Sequence, residues 1–218
     1  MNKLIIALIA VLSATNVHAQ IPQQVTDILK KCDKVMDNPK GLEIDMKVHV
    51  GMVLITMDGT MKWYSKGDLS REIMKVKALG MEMVTETGYD GENNWEFKPA
   101  SIRKKKKGTE KDSLIITKGE AEKSVDLGID KEYKKATMKE KDNLYIITLS
   151  EPKNPKEDKV PKKTVIKINK NNYYLHEFEG KVGPATMRMT ATKYKVGVDE
   201  NIFKLDPAKF PDAVVVRR

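Results

Sequence analysis

Cysteine is almost absent from this chain. Cys32 stands alone among 218 residues, so no disulfide can form within it. Histidine is nearly as scarce: His18, His49 and His176 are the only three, and none lies beside a second metal ligand at a recognisable spacing. No His-Glu-x-x-His, paired-cysteine motif, phosphate loop or Gly-x-Ser-x-Gly is present. No sequence motif therefore supports catalysis, a metal or a cofactor. Asp and Glu are plentiful, yet nothing in the sequence pairs two of them as acid and base. Long hydrophobic runs are missing too. The longest, Leu4 to Leu12, falls short of the ~20 residues a membrane-spanning helix needs.

That short run has a different use. Lys3 precedes it, and Val17-His18-Ala19 follows with small residues at the two positions a signal peptidase reads. Charge, apolar core and small-x-small site, in that order, are the signature of a secretory leader. The sequence predicts cleavage after Ala19 and a mature chain, residues 20–218, that forms one domain, exported from the cytoplasm and peripheral to membranes.

Loss of Lys3 with the leader lowers the net charge from +9 to +8. A basic surface attracts anionic lipid, nucleic acid or acidic proteins, and export makes nucleic acid a poor partner. The densest basic run, Arg103-Lys104-Lys105-Lys106-Lys107, reads first as a solvated loop.

Val25, Ile28, Leu29, Cys32, Val35 and Met36 recur at helical spacing and form one stripe. They predict an amphipathic helix over Gln23 to Met36, stopped by Asn38-Pro39-Lys40-Gly41, with Cys32 buried and inert. Strand patterning follows. From Leu42 to Leu54 the even positions are apolar, against Glu43, Asp45, Lys47 and His49. Met57-Asp58-Gly59-Thr60, Lys66-Gly67-Asp68 and Asp90-Gly91 read as turns between further alternating stretches up to Phe97. Residues 98 to 140 are charged and poorly periodic, with a short helix between Lys118 and Leu127. Strands resume at Leu144 to Leu149, Thr164 to Ile168, Tyr173 to Glu179 and Thr186 to Val196, with Glu151 to Lys163 an exposed loop.

Methionine is the surplus residue, twelve in all. Its flexible thioether suits surfaces that accept varied apolar guests. A long sheet with one apolar face and little helix to cover it needs loops, another chain or a ligand on that face. By parity, the side chains that line such a hollow are Met46, Val48, Val50, Met61, Trp63, Met81, Met83, Trp95, Phe97, Met187 and Met189.

The chain resembles the LolA-like family of exported lipoprotein carriers. The resemblance rests on the helix followed by a long alternating strand, and on Trp63-Tyr64-Ser65-Lys66-Gly67-Asp68-Leu69-Ser70-Arg71-Glu72. It continues in Tyr89-Asp90-Gly91-Glu92-Asn93-Asn94-Trp95, which is similar to an Asp-Gly-x-x-x-Trp hairpin with one extra residue. Asn201-Ile202-Phe203-Lys204-Leu205-Asp206-Pro207 and Phe210-Pro211-Asp212-Ala213-Val214-Val215-Val216 are similar to its closing segment. Leu205 stands where the family has a second Phe, Asp212 where it has Gly, and Lys98-Pro99 where it has Asp-Pro. The resemblance implies a mainly β fold, a curved antiparallel half-barrel whose concave side is covered by helices. It implies a periplasmic carrier or sensor of lipoprotein acyl chains or similar apolar ligands, without chemistry, that works in outer-membrane lipoprotein sorting with envelope transport proteins. It also implies that Arg71 holds a helical lid shut through backbone carbonyls. Two alternatives stay open: a cell-envelope protein-interaction module on the same fold, and a hydrolase whose site is assembled from residues distant in sequence.

Overall fold

The structure is a computed structural model that describes residues 21–52, 56–78, 80–100, 108, 110–119, 131–154, 160–182 and 184–218. The leader, the Arg103–Lys107 run and most of the helix expected after Lys118 lie outside the described residues.

Helix α1 spans Gln23–Met36, the range its stripe predicts, and buries Val25, Ile28, Leu29, Cys32 and Met36. It is the one α-helix among the described residues. Twelve strands follow: β1 Leu42–Gly51, β2 Thr56–Lys66, β3 Leu69–Ala78, β4 Met81–Tyr89, β5 Asn93–Lys98, β6 Ser113–Lys118, β7 Tyr133–Lys141, β8 Leu144–Pro152, β9 Lys163–Asn169, β10 Leu175–Val182, β11 Ala185–Val196 and β12 Val214–Arg217. They form one open, curved sheet in the order β12-β6-β5-β4-β3-β2-β1-β11-β10-β9-β8-β7. Every pairing is antiparallel except that of β12 with β6, which is parallel. The chain reaches β12 through two short 3₁₀ turns, Glu200–Phe203 and Pro207–Lys209.

Side chains directly opposite each other in paired strands share a face. Carrying this rule across the registers separates two faces. The helix face bears Ile44, Trp63, Glu72, Thr87, Glu96 and Ile115 in one row. The far face bears Tyr64, Arg71, Gly88, Trp95 and Ile116 in the next. On the helix face, α1 packs with Leu42, Ile44, Met46, Val48, Met61, Trp63, Tyr133, Ile147, Leu149, Ile166, Ile168 and Leu175 in one continuous core. Ser65 ties the end of α1 to the sheet, its hydroxyl donating to the Met36 carbonyl at 3.1 Å.

Two expectations change. Asp58-Gly59 is not a turn but the middle of β2, and the chain reverses between Gly51 and Thr56. Glycine is required there by close approach: a Cβ on Gly59 would lie 2.1 Å from the Lys75 carbonyl oxygen. The charged stretch from 98 to 140 also holds strands, β6 and most of β7.

Candidate ligand-binding site

The sequence-derived lining residues divide into three groups. Met46, Val48, Met61 and Trp63 lie on the helix face and are buried in the core with α1. Val50, Met83, Met187 and Met189 share that face but are only partly covered. Register brings them together, with Val48 opposite Met189, Val50 opposite Met187, and Val76 opposite Met83. Met81 holds the corresponding position opposite Ala78.

Trp95 and Phe97 form the third group, on the far face. Gly88 pairs with Trp95 and Glu86 with Phe97, which turns both rings away from α1. Gly88 is what admits the indole, since a Cβ there would meet the Trp95 ring at 2.3 Å. Trp95, Leu114 and Ile116 make a second core with Phe97, Leu205, Phe210 and Ala213. The Phe97 and Phe210 rings stack at 4.7 Å between centroids. The C-terminal segment, not α1, therefore covers this part of the sheet.

Arg71 is also on the far face and is 6% exposed. Its Nη1 donates to the Ile202 carbonyl at 2.6 Å, and its Nη2 pairs with Glu86 Oε1 at 2.7 Å. Its Nε has no hydrogen-bond partner among the described residues. The guanidinium thus grips a backbone carbonyl, the chemistry expected of it, but that carbonyl belongs to the 3₁₀ turn Glu200–Phe203.

Two methionines of the helix face escape the parity reading, Met57 and Met74. Met57 pairs with Val50 and Met74 with Met61. Reading Asp58-Gly59 as a turn hid the first. Met74 sits two residues beyond Glu72 on β3, and that alternation was the available signal.

Across β3 to β6 the helix face changes character. A cavity of about 430 Å³ opens there, walled by Trp63, Ser70, Glu72, Thr87, Asn94, Glu96, Ile115 and Thr117, with Arg71, Gly88 and Trp95 also at its lining. Glu96 pairs with Lys98 at 2.8 Å. Burial pushes the Glu72 carboxyl above its ordinary range, because a charged carboxylate loses solvation in a partly closed site.

The far face of the central strands is a solvent face. His49 Nδ1 lies 2.7 Å from Asp58 Oδ1, and Lys62 pairs with Glu43 and Asp45. Cys32 is fully buried, and desolvation pushes its thiol up to about 12, which keeps it protonated and unreactive. Among the described residues no three His, Cys, Asp or Glu side chains gather to hold a metal, and no helix is long and apolar enough to cross a membrane.

No family model and no curated protein matches this chain. Solved structures do. An uncharacterized conserved protein from Thermus thermophilus aligns with a TM-score of 0.52 at 14% identity, over 89% of this chain and 99% of that one. A LolA superfamily protein from Nitrosomonas europaea aligns at 0.39 and 12% identity, over 83% and 97%. The lipoprotein LppX from Mycobacterium tuberculosis aligns at 0.45 and 9% identity, over 82% and 98%. The first shares this fold, and LolA superfamily and lipoprotein structures are among those the chain resembles.

Proposed function

We propose that residues 20–218 form one exported periplasmic unit that carries or senses ligands with long apolar chains, lipoprotein acyl chains foremost, and does no chemistry on them. One observation carries this reading. The helix face is sealed under α1 but continues into a margin of Val50, Met57, Met74, Met83, Met187 and Met189 that is only partly covered. Methionine lets such a margin fit chains of varied shape. Each CH₂ removed from water contributes ~0.8 kcal/mol, so one acyl chain supplies most of the affinity such a carrier needs. Release then calls for a competing envelope partner and not for hydrolysis.

Met83→Asp tests it. A carboxylate at a margin already open to water leaves thermal melting nearly unchanged, while fatty-acid binding is lost. A variant that loses several kcal/mol of stability along with binding would mark the margin as sealed core. Export is tested separately: the protein secreted from its host begins at Gln20, and retention of Met1 would remove the localisation.

A second reading, a protein-interaction module of the cell envelope, draws on the sheet edges. Edge strand β7 carries exposed Lys134, Lys135, Lys139 and Lys141, whose charge discourages strand addition. The opposite edge, β12, carries Val214 and Val215, 49% and 45% exposed. Val215→Lys would abolish capture of an envelope protein through that edge and leave fatty-acid binding untouched.

A further inference from the structure

We propose that the cavity beside Glu72 receives a cationic, amine-bearing head group, and that the tail of the same amphiphile lies along the partly covered Met74 and Met83. The inference rests on the apolar-chain reading above and adds the head-group class to it.

Continuity of the surface is the first support. Ser70, Glu72, Met74 and Val76 are successive helix-face residues of β3. Along a strand such residues stand ~7 Å apart, so the wall passes from hydroxyl to carboxylate to thioether to aliphatic within about 20 Å. Trp63 sits opposite Glu72 and also belongs to the core with α1, which joins the polar cavity to the apolar margin. At about 430 Å³ the cavity is roomy enough for a small head group.

Charge is the second support. Glu72 lines the cavity and has no ion pair or hydrogen bond among the described residues. The nearest arginine along the chain, Arg71, is turned to the far face and held by Glu86 and Ile202. Glu96, across the cavity, already has Lys98. The open valence of the site is therefore negative. The neutral hydroxyls around it, Ser70 and Thr87, offer hydrogen bonds to an ammonium or to hydroxyls near it. An anionic head, carboxylate or phosphate, would meet a half-buried like charge, and that repulsion makes it bind more weakly than an amine or an alcohol on the same tail. Burial holds the Glu72 carboxyl above its ordinary range when the site is empty. A bound cation offsets that penalty by favouring the ionised form.

The test uses the mature protein and three probes of one tail length, dodecylamine, dodecanol and dodecanoate, each below its micelle concentration, titrated calorimetrically into wild type and Glu72→Gln. The expected result is dodecylamine binding about tenfold tighter than dodecanoate, with dodecanol between them. Glu72→Gln should then weaken dodecylamine about fivefold or more while dodecanol stays within about twofold, which also shows that the variant is folded. Dodecanoate binding as tightly as dodecylamine, or dodecylamine unaffected by Glu72→Gln, overturns the head-group assignment while leaving the apolar-chain reading intact. Failure of all three probes to bind overturns both.

Discussion

From β7 round to β2, and on through Met74 and Val76 of β3 and Met83 of β4, the sheet turns apolar side chains to the helix face; in β5 and β6 it packs them on the far face. In the first half the cover is α1, lying on Ile44, Met46, Met61, Ile147 and Ile166. In the second the cover is the C-terminal segment, lying on Trp95, Leu114 and Ile116. One sheet thus has two cores on opposite sides. The switch leaves one end of the helix face of β3 to β6 free of the need to be apolar, and Glu72, Thr87, Asn94 and Glu96 occupy it, while Met74, Val76 and Met83 hold the other end. Where a core stabilises the fold, the surface is closed. Where the core has moved to the other side, the surface is left open as a largely polar cavity. Met74 and Met83 of the partly covered margin lie on β3 and β4, the strands that also wall the cavity.

The sharpest way to break this arrangement is at the hinge of the two cores. Arg71→Met leaves Glu86 buried without a partner and releases the Ile202 carbonyl. The expected loss is about 3–5 kcal/mol in denaturant unfolding, and Arg71→Met combined with Glu86→Leu recovers much of it. Hydrogen exchange sharpens the point: amides of β5, β6 and β12 lose protection first, while α1 keeps its own. A smaller effect is expected at Gly88. An added methyl there meets the Trp95 ring, so Gly88→Ala costs about 1–3 kcal/mol and raises exchange in the same half.

Glu72→Gln should act in the opposite direction. Burial raises the folded-state pKa of this carboxyl, so the folded protein binds its proton more tightly than the unfolded chain does. The stability this proton contributes is full below the unfolded value and is lost as pH rises through the folded one. Glutamine has no such dependence. The variant should therefore melt higher than wild type at pH 7, by about 1 kcal/mol or less, with the gap closing as pH falls to about 4. Least affected is the solvent face: His49→Ala removes an exposed pair with Asp58 and should change stability by no more than about 0.5 kcal/mol.

Parity within one element was legible from the residues. The six-residue stripe gives α1 its limits, and the alternation from Leu42 gives β1 its buried face. Parity relative to another element was not. Trp95 and Phe97 alternate with Asn94 and Glu96 as cleanly as Met61 and Trp63 alternate with their neighbours. Only the pairing of Gly88 with Trp95 shows that the apolar side of β5 faces away from α1. A strand's own pattern says that it has a buried side, never which layer buries it. Strand β7 was hidden for another reason: Lys134, Lys135, Lys139 and Lys141 guard an edge and blur the alternation that defines a strand. Gly59 misled because its physical cause, close approach to the Lys75 carbonyl, lies on a neighbouring strand. Arg71 showed its donor chemistry in the sequence but not its acceptor, which is 131 residues away.

The central claim is that the margin beside α1 holds an apolar chain. Native mass spectrometry of mature protein, purified gently from its own envelope, tests this most directly. The expected result is a bound species whose released ligand carries one or more long acyl or alkyl chains, lost in Met83→Asp. Protein that emerges free of lipid in wild type, yet bound stoichiometrically to an envelope protein, would contradict it.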